Sequence, residues 1–352
     1  MLKRIICFLL MIIPLIAFAD SPEPTVNILT WWGYLDYPDM IQSAEKACHA
    51  KISFDEYYSN DEFLRRWQSQ KDSYDIIIFS DTIYNIIKDK IPKFDSDKLW
   101  MNSLSYNPIV RKHYYRKKYP HNVVYFLQSL TGFVWNPAVI NISEKDSIQD
   151  IFKKAGQNDV VIMDDSLEPF KLVESTLGSN LKGYDIDEFN FDNFKKLISK
   201  SNVYIANNNI QVYDSKKFAF SFNWSGDSIE ILKKSKGKYR FFIHPGLSYI
   251  SADLLARTSN TESAVCVSRF ITSKEYSIDL QDRTYYFSPY NDVIPARDNL
   301  FQSIYKTYIR LLRSLGWLDY LNKNDFNQVN KNWQLIKISL NNHLLNNGIE
   351  QK

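Results

Sequence analysis

Apolar and polar positions along this chain follow two rhythms. Val26-Asn27-Ile28-Leu29 is a short strand-like run that opens at Thr30 into Trp31-Trp32-Gly33-Tyr34. Pro38 to His49 carries helical spacing, Lys51 to Tyr57 alternates as a strand, and Asn60 to Gln70 returns to the helical period with Asn60 placed as its N-cap. Tyr74 to Phe79 is apolar apart from Asp75 and holds Ile76, Ile77 and Ile78 in a row, as a strand covered on both faces does. It ends in Ser80-Asp81-Thr82, and a helical segment follows to Lys90. Strand and helix in alternation predict a parallel sheet with helices on its faces.

Val123 to Leu127 and Gly132 to Asn136 read as two strands separated by Gln128-Ser129-Leu130-Thr131. A second α/β set follows: helix from Ile148 to Lys154, strand from Val160 to Met163, helices from Pro169 to Leu177 and Phe191 to Ser201, strands from Val203 to Ala206 and Phe218 to Trp224, helix from Ser228 to Lys234, strand from Arg240 to Ile243. Leu254-Leu255-Ala256, a helix from Glu262 to Thr272, and two long amphipathic helices, Asn299 to Leu315 and Gln328 to Leu345, complete the chain. No repeat or low-complexity linker divides the two sets. That pattern predicts two α/β lobes joined by strands that cross between them and act as a hinge.

The N-terminus changes the picture of where the protein works. Lys3 and Arg4 precede an apolar run from Ile5 to Phe18, and Ala17-Phe18-Ala19 supplies a small-x-small cleavage site, so residues 1–19 are expected to be a secretion signal. No later stretch approaches the roughly 20 apolar residues that span a bilayer. The 352 residues carry 43 basic and 40 acidic side chains, without long blocks of either sign, so nothing points to a nucleic-acid or membrane-surface partner. Two cysteines, Cys48 and Cys266, lie beyond the leader in helix-like segments. Buried free thiols are the commoner outcome for such positions, with a disulfide as the alternative in an oxidising compartment.

Several chemistries are missing. There is no Gly-x-Ser-x-Gly, His-Glu-x-x-His, Gly-x-Gly-x-x-Gly or P-loop, and the five histidines are scattered, which argues against an enzyme. Asp185-Ile186-Asp187-Glu188 lacks the glycine and final glutamate of a calcium loop and reads as a solvated helix start. No metal site or cofactor is expected. What is present is a set of acids and large rings at strand ends. Asp164-Asp165 and Glu168 follow one strand; an N-terminal cap explains them, but three carboxylates in five residues repel, and a cationic ligand relieves that. Trp224-Ser225-Gly226 ends another strand. Asp253 stands in an apolar segment, where it needs either an ion pair to Arg257 or Arg269 or a cationic ligand. Rings and carboxylates from both lobes suit a flexible, positively charged small molecule.

At this point the chain resembles the periplasmic polyamine-binding proteins, the spermidine/putrescine receptors of ABC importers, from Val26 to Gln334. The matching pieces are Trp31 to Leu35, Tyr58-Ser59-Asn60-Asp61-Glu62, Tyr74-Asp75-Ile76-Ile77, Thr131-Gly132-Phe133-Val134-Trp135-Asn136, Asp164-Asp165 with Glu168, Trp224-Ser225-Gly226, Asp253 with Leu255-Ala256, and Asn332-Trp333-Gln334. The resemblance implies a two-lobed venus-flytrap fold that closes on its ligand and docks on a permease. Carried over by position, Trp31 and Tyr34 flank the ligand with Ser80 nearby, Trp224 stacks from the second lobe, Asp165, Glu168 and Asp253 hold the ammonium groups, and Gln334 adds a polar contact. Trp32 and Gly33 stand where members of the family have a small hydroxyl residue and an acid. Thr82, Ser251 and Phe287 fall at positions of aromatic contacts, with Tyr249 and Tyr286 close enough to substitute, and Asp81 is an extra acid beside Ser80. The candidate ligand contacts are therefore Trp31, Trp32, Tyr34, Ser80, Asp81, Asp165, Glu168, Trp224, Tyr249, Asp253 and Gln334.

The expectation is a monomeric periplasmic solute-binding protein of α/β, two-lobed venus-flytrap architecture. One lobe comprises residues 20–131 with 252–296, the other 132–251 with 297–352. Its partners are a small polyamine or diamine of the putrescine or spermidine kind and the permease subunits of an ABC transporter. Two alternatives remain: the same fold binding another organic cation or an amino acid derivative, and a ligand-sensing protein that works by contacting a partner.

Overall fold

The computed structural model describes residues 23–174, 191–206, 218–296, 298–318 and 322–346. The expected signal peptide, the acidic run 185–188 and the end of the helix expected to reach Leu177 lie outside them. Among the described residues no helix is long and apolar enough to cross a membrane.

Among the described residues ten strands form one connected sheet: β1 (Thr25–Trp31), β2 (Lys51–Tyr57), β3 (Ile76–Ser80), β4 (Val123–Trp135), β5 (Asp159–Met163), β6 (Asn202–Ala206), β7 (Phe218–Trp224), β8 (Arg240–Phe242), β9 (Tyr249–Arg257) and β10 (Gly316–Trp317). Their spatial order is β2-β1-β3-β9-β4-β7-β5-β6, with β10 beside β9 and β8 beside β4. β1 pairs in parallel with β2 and β3, and β5 pairs in parallel with β6 and β7. Between these parallel groups β9 runs antiparallel to β3 and β4, and β4 antiparallel to β7 and β8, while the short β10 lies parallel to β9.

The parallel strands obey the two-fold alternation of a sheet covered on both sides. Ile77 and Phe79 of β3 point into one apolar cluster with Tyr57, Phe63 and Trp67, whereas Ile76 and Ile78 point into another with Val26, Ile28 and Tyr34. Every residue of β3, β4 and β9 is buried.

β4 corrects the sequence reading, which placed two strands here. It is a single strand of 13 residues, and Gln128-Ser129-Leu130-Thr131 lies inside it. These polar residues are carried in the interior because each finds partners. Gln128 exchanges both main-chain hydrogen bonds with Phe287 (2.8 Å each) and accepts from the Tyr308 hydroxyl at 3.1 Å. Ser129 bonds the Ser251 hydroxyl, and Thr131 Oγ1 accepts from the Tyr249 amide at 3.0 Å. The first part of β4 pairs with β9 and the last part with β7, so this one strand belongs to both halves of the sheet.

Three further differences have local causes. The helix Asn60–Gln70 is capped by Ser59, whose side chain accepts from the Glu62 amide, and not by Asn60. Two helices, Pro108–Lys117 and Lys274–Thr284, lack a clear apolar stripe and went unread. Cys48 and Cys266 form a disulfide, with Cα atoms 5.6 Å apart, where free thiols were the expectation. It ties the end of the helix Pro38–Cys48 to the helix Glu262–Ile271; residues 218 positions apart in sequence gave no sign that these helices pack together.

Candidate functional site

The carboxyl end of β1 organises one wall of a cleft. Successive strand residues face opposite sides, so the two indoles part company. Trp31 packs on Tyr57, ring centroids 4.5 Å apart, and approaches Trp224 edge-on at 6.3 Å. Trp32, 46% exposed, stacks on Tyr58 at the rim. Gly33 then turns the chain through a left-handed conformation (φ 78°), donating its amide to Glu56 at 2.8 Å, and this returns the Tyr34 ring to the interior.

Asp253 projects from the middle of β9, opposite Ser80 of β3 and Leu127 of β4. It accepts hydrogen bonds from the Trp31 indole (3.1 Å) and the Tyr34 hydroxyl (2.5 Å). Burial raises its pKa to about 6 in spite of these two donors. The ion pair considered from sequence does not form: Arg257 is bound to Asp97, Ser259 and Asn260.

The second wall begins where β5 ends. Asp165 caps the helix Leu167–Glu174, its Oδ1 accepting from the amides of Leu167 (2.8 Å) and Glu168 (3.2 Å), while Oδ2 accepts from the Asn60 amide group at 3.0 Å. Asp165 thus caps the helix and lines the cleft at once, and burial lifts its pKa to about 6. Glu168 is only 2% exposed. Its Oε1 accepts from the Trp224 indole at 2.9 Å; its Oε2 has no hydrogen-bond partner among the described residues. Burial, then the neighbouring Asp165 charge, push its pKa up to about 8, against the lowering effect of the Trp224 indole and the Tyr249 hydroxyl.

Trp224 is the N-cap position of the helix Ser225–Lys234, and the first turn of that helix brings in Asp227. Asp227 lines the same cleft, half-buried, with its pKa raised to about 7 by burial and then by Glu230. Sequence reading missed it because the helix was started at Ser228. The helix begins at Ser225, which puts Asp227 one turn from the Trp224 ring.

Of the eleven candidate contacts, Trp31, Trp32, Tyr34, Ser80, Asp165, Glu168, Trp224 and Asp253 line one cleft, together with Tyr57, Tyr58, Asn60, Thr82, Ser129, Asp227, Ser251, Tyr286 and Leu318. Three candidates are placed otherwise. Asp81 is turned to Lys117 (3.2 Å) and to the Tyr119 hydroxyl, both buried. Tyr249 stands behind the wall, its hydroxyl donating to the main-chain oxygen of Glu168 at 2.6 Å. Gln334 donates to Asp61 at 3.3 Å on the outer side, beside an Asn330–Asp61 hydrogen bond of 2.7 Å. Phe287 is core, stacked on Tyr308 at 4.1 Å, and Tyr286 supplies the ring at that end of the cleft.

The electrostatic content is one-sided. Asp165, Glu168, Asp227 and Asp253 line the cleft, and no lysine, arginine or histidine does among the described residues. Nor does any cluster of acids, cysteines and histidines among the described residues form a metal-holding group. Desolvated carboxylates with raised pKa values and no protein cation fit a ligand that brings positive charge.

No protein-family model matches the sequence, and no curated protein matches it significantly. Solved structures do match in fold. A protein assigned as a spermidine/putrescine ABC transporter from Listeria monocytogenes superposes with a TM-score of 0.74 at 17% identity, covering 90% of this chain and 99% of its own. The spermidine/putrescine ABC transporter substrate-binding protein PotD from Streptococcus pneumoniae gives 0.70 at 16% identity, with the same 90% and 99% coverage. The periplasmic binding protein MotA from A. tumefaciens, solved with glucopine, gives 0.67 at 14% identity, again covering 90% and 99%. The chain has the two-lobed α/β fold of the periplasmic solute-binding proteins.

Proposed function

We propose that the protein is an extracytoplasmic solute-binding protein that captures a polyamine of the putrescine or spermidine kind between its lobes and delivers it to an ABC-type permease. It is a binding protein and not an enzyme, acts as a monomer, and reaches the periplasm through the leader at residues 1–19. Residues 20–131 with 252–296 make one lobe and 132–251 with 297–352 the other; the shared strand β4, which changes partners from β9 to β7 near Thr131, supports this division.

The observation that carries the ligand class is the charge of the cleft: four carboxylates, one with a bare buried oxygen, and no basic residue among the described lining. An ammonium group against Glu168 gives Oε2 the donor it lacks, and the alkyl chain of a polyamine lies against Trp31, Trp224 and Tyr286. Closure then follows from contacts made with both walls at once, which only the closed state offers.

Neighbours of the same fold take other ligands, glucopine in the case of MotA. An amino acid derivative needs an arginine or a helix N-terminus for its carboxylate; Arg257 is held by Asp97 away from the cleft lining, and the helix starts that reach the cleft carry Glu168 and Asp227, whose charge opposes a carboxylate. This favours the polyamine over the amino acid derivative. A thermal-shift titration of ligand-free protein with putrescine, cadaverine, spermidine and spermine beside basic amino acids tests the reading. Binding to the native state alone raises stability by about 2.7 kcal/mol at a hundredfold excess over the dissociation constant. A shift with amines and none with amino acids is expected. No shift with any amine would leave the fold and remove the function.

A further inference from the structure

The cleft contains more free acid than a ligand with two charged ends requires, and this carries the polyamine reading one step further. Asp165 is occupied within the protein: one oxygen caps a helix and the other accepts from Asn60. Three carboxylates keep acceptor capacity towards the cleft: Glu168 with its bare Oε2, Asp253 with one donor on each oxygen, and Asp227. They come from three different elements, the helix Leu167–Glu174, the strand β9 and the helix Ser225–Lys234.

Asp227 has an ordinary explanation to be weighed first. An acid in the first turn of a helix is favoured by the dipole and often caps the helix. Here Trp224 at the N-cap position makes no side-chain cap, and no hydrogen bond from the first amides of the helix to Asp227 is found among the described residues. The surroundings of Asp227 are built instead around an aromatic ring. Gly226 leaves room for the Tyr286 ring to lie directly against the start of this helix, since a Cβ at that position would stand 2.7 Å from Tyr286 Cζ. The Tyr286 ring also meets Tyr34 edge-on at 5.6 Å, and so reaches from the Asp227 end of the cleft to the ring that hydrogen-bonds Asp253. The negative charges that act on its phenol are, in order, those of Asp227 and Asp253, with Glu168 further down. Tyr286 thus lines the same cleft as the three acids.

We propose that Asp227 is a third ammonium-binding residue, with the Tyr286 ring beside it, and that the cleft selects a linear triamine over a diamine. One ammonium then faces each of Glu168, Asp253 and Asp227, and the alkyl spacers cross Trp31, Trp224 and Tyr286. A diamine leaves one desolvated carboxylate without a counter-charge when the lobes close. A tetraamine brings a fourth cation to a cleft whose fourth acid is already engaged with Asn60 and two amides.

The test is a calorimetric titration at constant pH of the mature protein, freed of carried-over ligand by unfolding and refolding, with putrescine, cadaverine, spermidine and spermine. Spermidine is expected to bind at least tenfold more tightly than either diamine. Asp227→Asn should weaken spermidine at least tenfold and the diamines less than threefold, which erases the preference; Tyr286→Phe, which keeps the ring, should leave the order of ligands as in the native protein. Diamines binding as tightly as spermidine, or Asp227→Asn weakening all amines equally, would overturn the proposal while leaving polyamine binding standing. Binding of no amine at all would instead remove the function on which it rests. Should Asp227→Asn fail to fold, the ladder of amines on the native protein decides alone, through the tenfold preference or its absence.

Discussion

Two kinds of buried or half-buried carboxylate coexist in this molecule, and they are treated in opposite ways. Away from the cleft, three of them have a cation from the chain itself. Asp81 is bound to Lys117 and Tyr119, Asp97 to Arg257, and Asp164 to Lys337 (2.9 Å) and the Trp333 indole (2.7 Å). In the cleft, Asp165, Glu168, Asp227 and Asp253 receive neutral donors or none. Asp164 and Asp165 are adjacent in sequence yet fall on the two sides of this division, because neighbouring residues leaving a strand point in opposite directions. Burying an ion without its partner costs several kcal/mol. The chain offsets that cost with its own cations at Asp81, Asp97 and Asp164 and does not at the cleft acids, where we propose that the ligand binds.

Breaking one member of each kind separates them most strongly. Glu168→Gln should weaken polyamine binding by roughly a hundredfold or more, because truncating one partner of a buried charge pair costs about 3–5 kcal/mol. The free variant should be no less stable than the native protein at pH 8. Asp81→Asn should do the reverse, losing about 3–5 kcal/mol of stability as the buried Asp81–Lys117 ion pair is broken, with affinity changed less than threefold in the fraction that folds. Calorimetric titration and chemical denaturation of both variants measure the contrast. Equal effects on both properties in both variants would dissolve it.

Asp253→Asn comes next. This residue already has two donors, so an amide in its place keeps part of its hydrogen bonding, and a loss of about ten- to a hundredfold in affinity is expected from isothermal titration. If its effect exceeded that of Glu168→Gln, the bare oxygen of Glu168 would not be the main anchor.

The pH dependence sharpens the same comparison. Glu168 is raised to about 8 from an ordinary value near 4.5, so between those values the folded free protein holds a proton that the unfolded chain has released. Stability of the free protein therefore falls as pH rises from about 4.5 to 8, Asp227 adding to the fall up to about 7. A bound ammonium favours the carboxylate form, so ligand binding releases protons and its affinity rises with pH over the same window. Denaturation and titration between pH 5 and 8 should show the two trends with opposite sign; an affinity that fell with rising pH would be incompatible with this assignment.

The smallest effect on binding is expected from the disulfide. Replacing Cys48 and Cys266 together by alanine should cost about 2–5 kcal/mol of stability, with affinity unchanged within twofold, since the bond lies between the helices Pro38–Cys48 and Glu262–Ile271 and neither cysteine lines the cleft.

Much of the framework was legible in the sequence because parallel, doubly covered strands announce themselves as apolar runs, as Ile76-Ile77-Ile78 does. The interior of β4 was not, since polar residues such as Gln128 and Thr131 look like a break until the groups that bond them are known. Trp31, Glu168, Trp224 and Asp253 could be singled out from their places at strand ends or within apolar runs. Whether an acid faced a cation or the cleft could not: Asp81 and Asp253 are both acids of buried strands or their ends, and what distinguishes them is Lys117, contributed by a helix with no clear apolar stripe. Asp227 escaped because three residues of error in a helix start moved it from a first turn to a loop.

The central claim is that the cleft lacks its counter-charge and that the ligand supplies it. The most direct measurement is a calorimetric titration of ligand-free protein with spermidine at pH 7 in two buffers of different ionisation enthalpy. The account predicts saturable binding in which protons are released from the protein, the number falling in Glu168→Gln. Binding with no proton release, or with proton uptake, would contradict it.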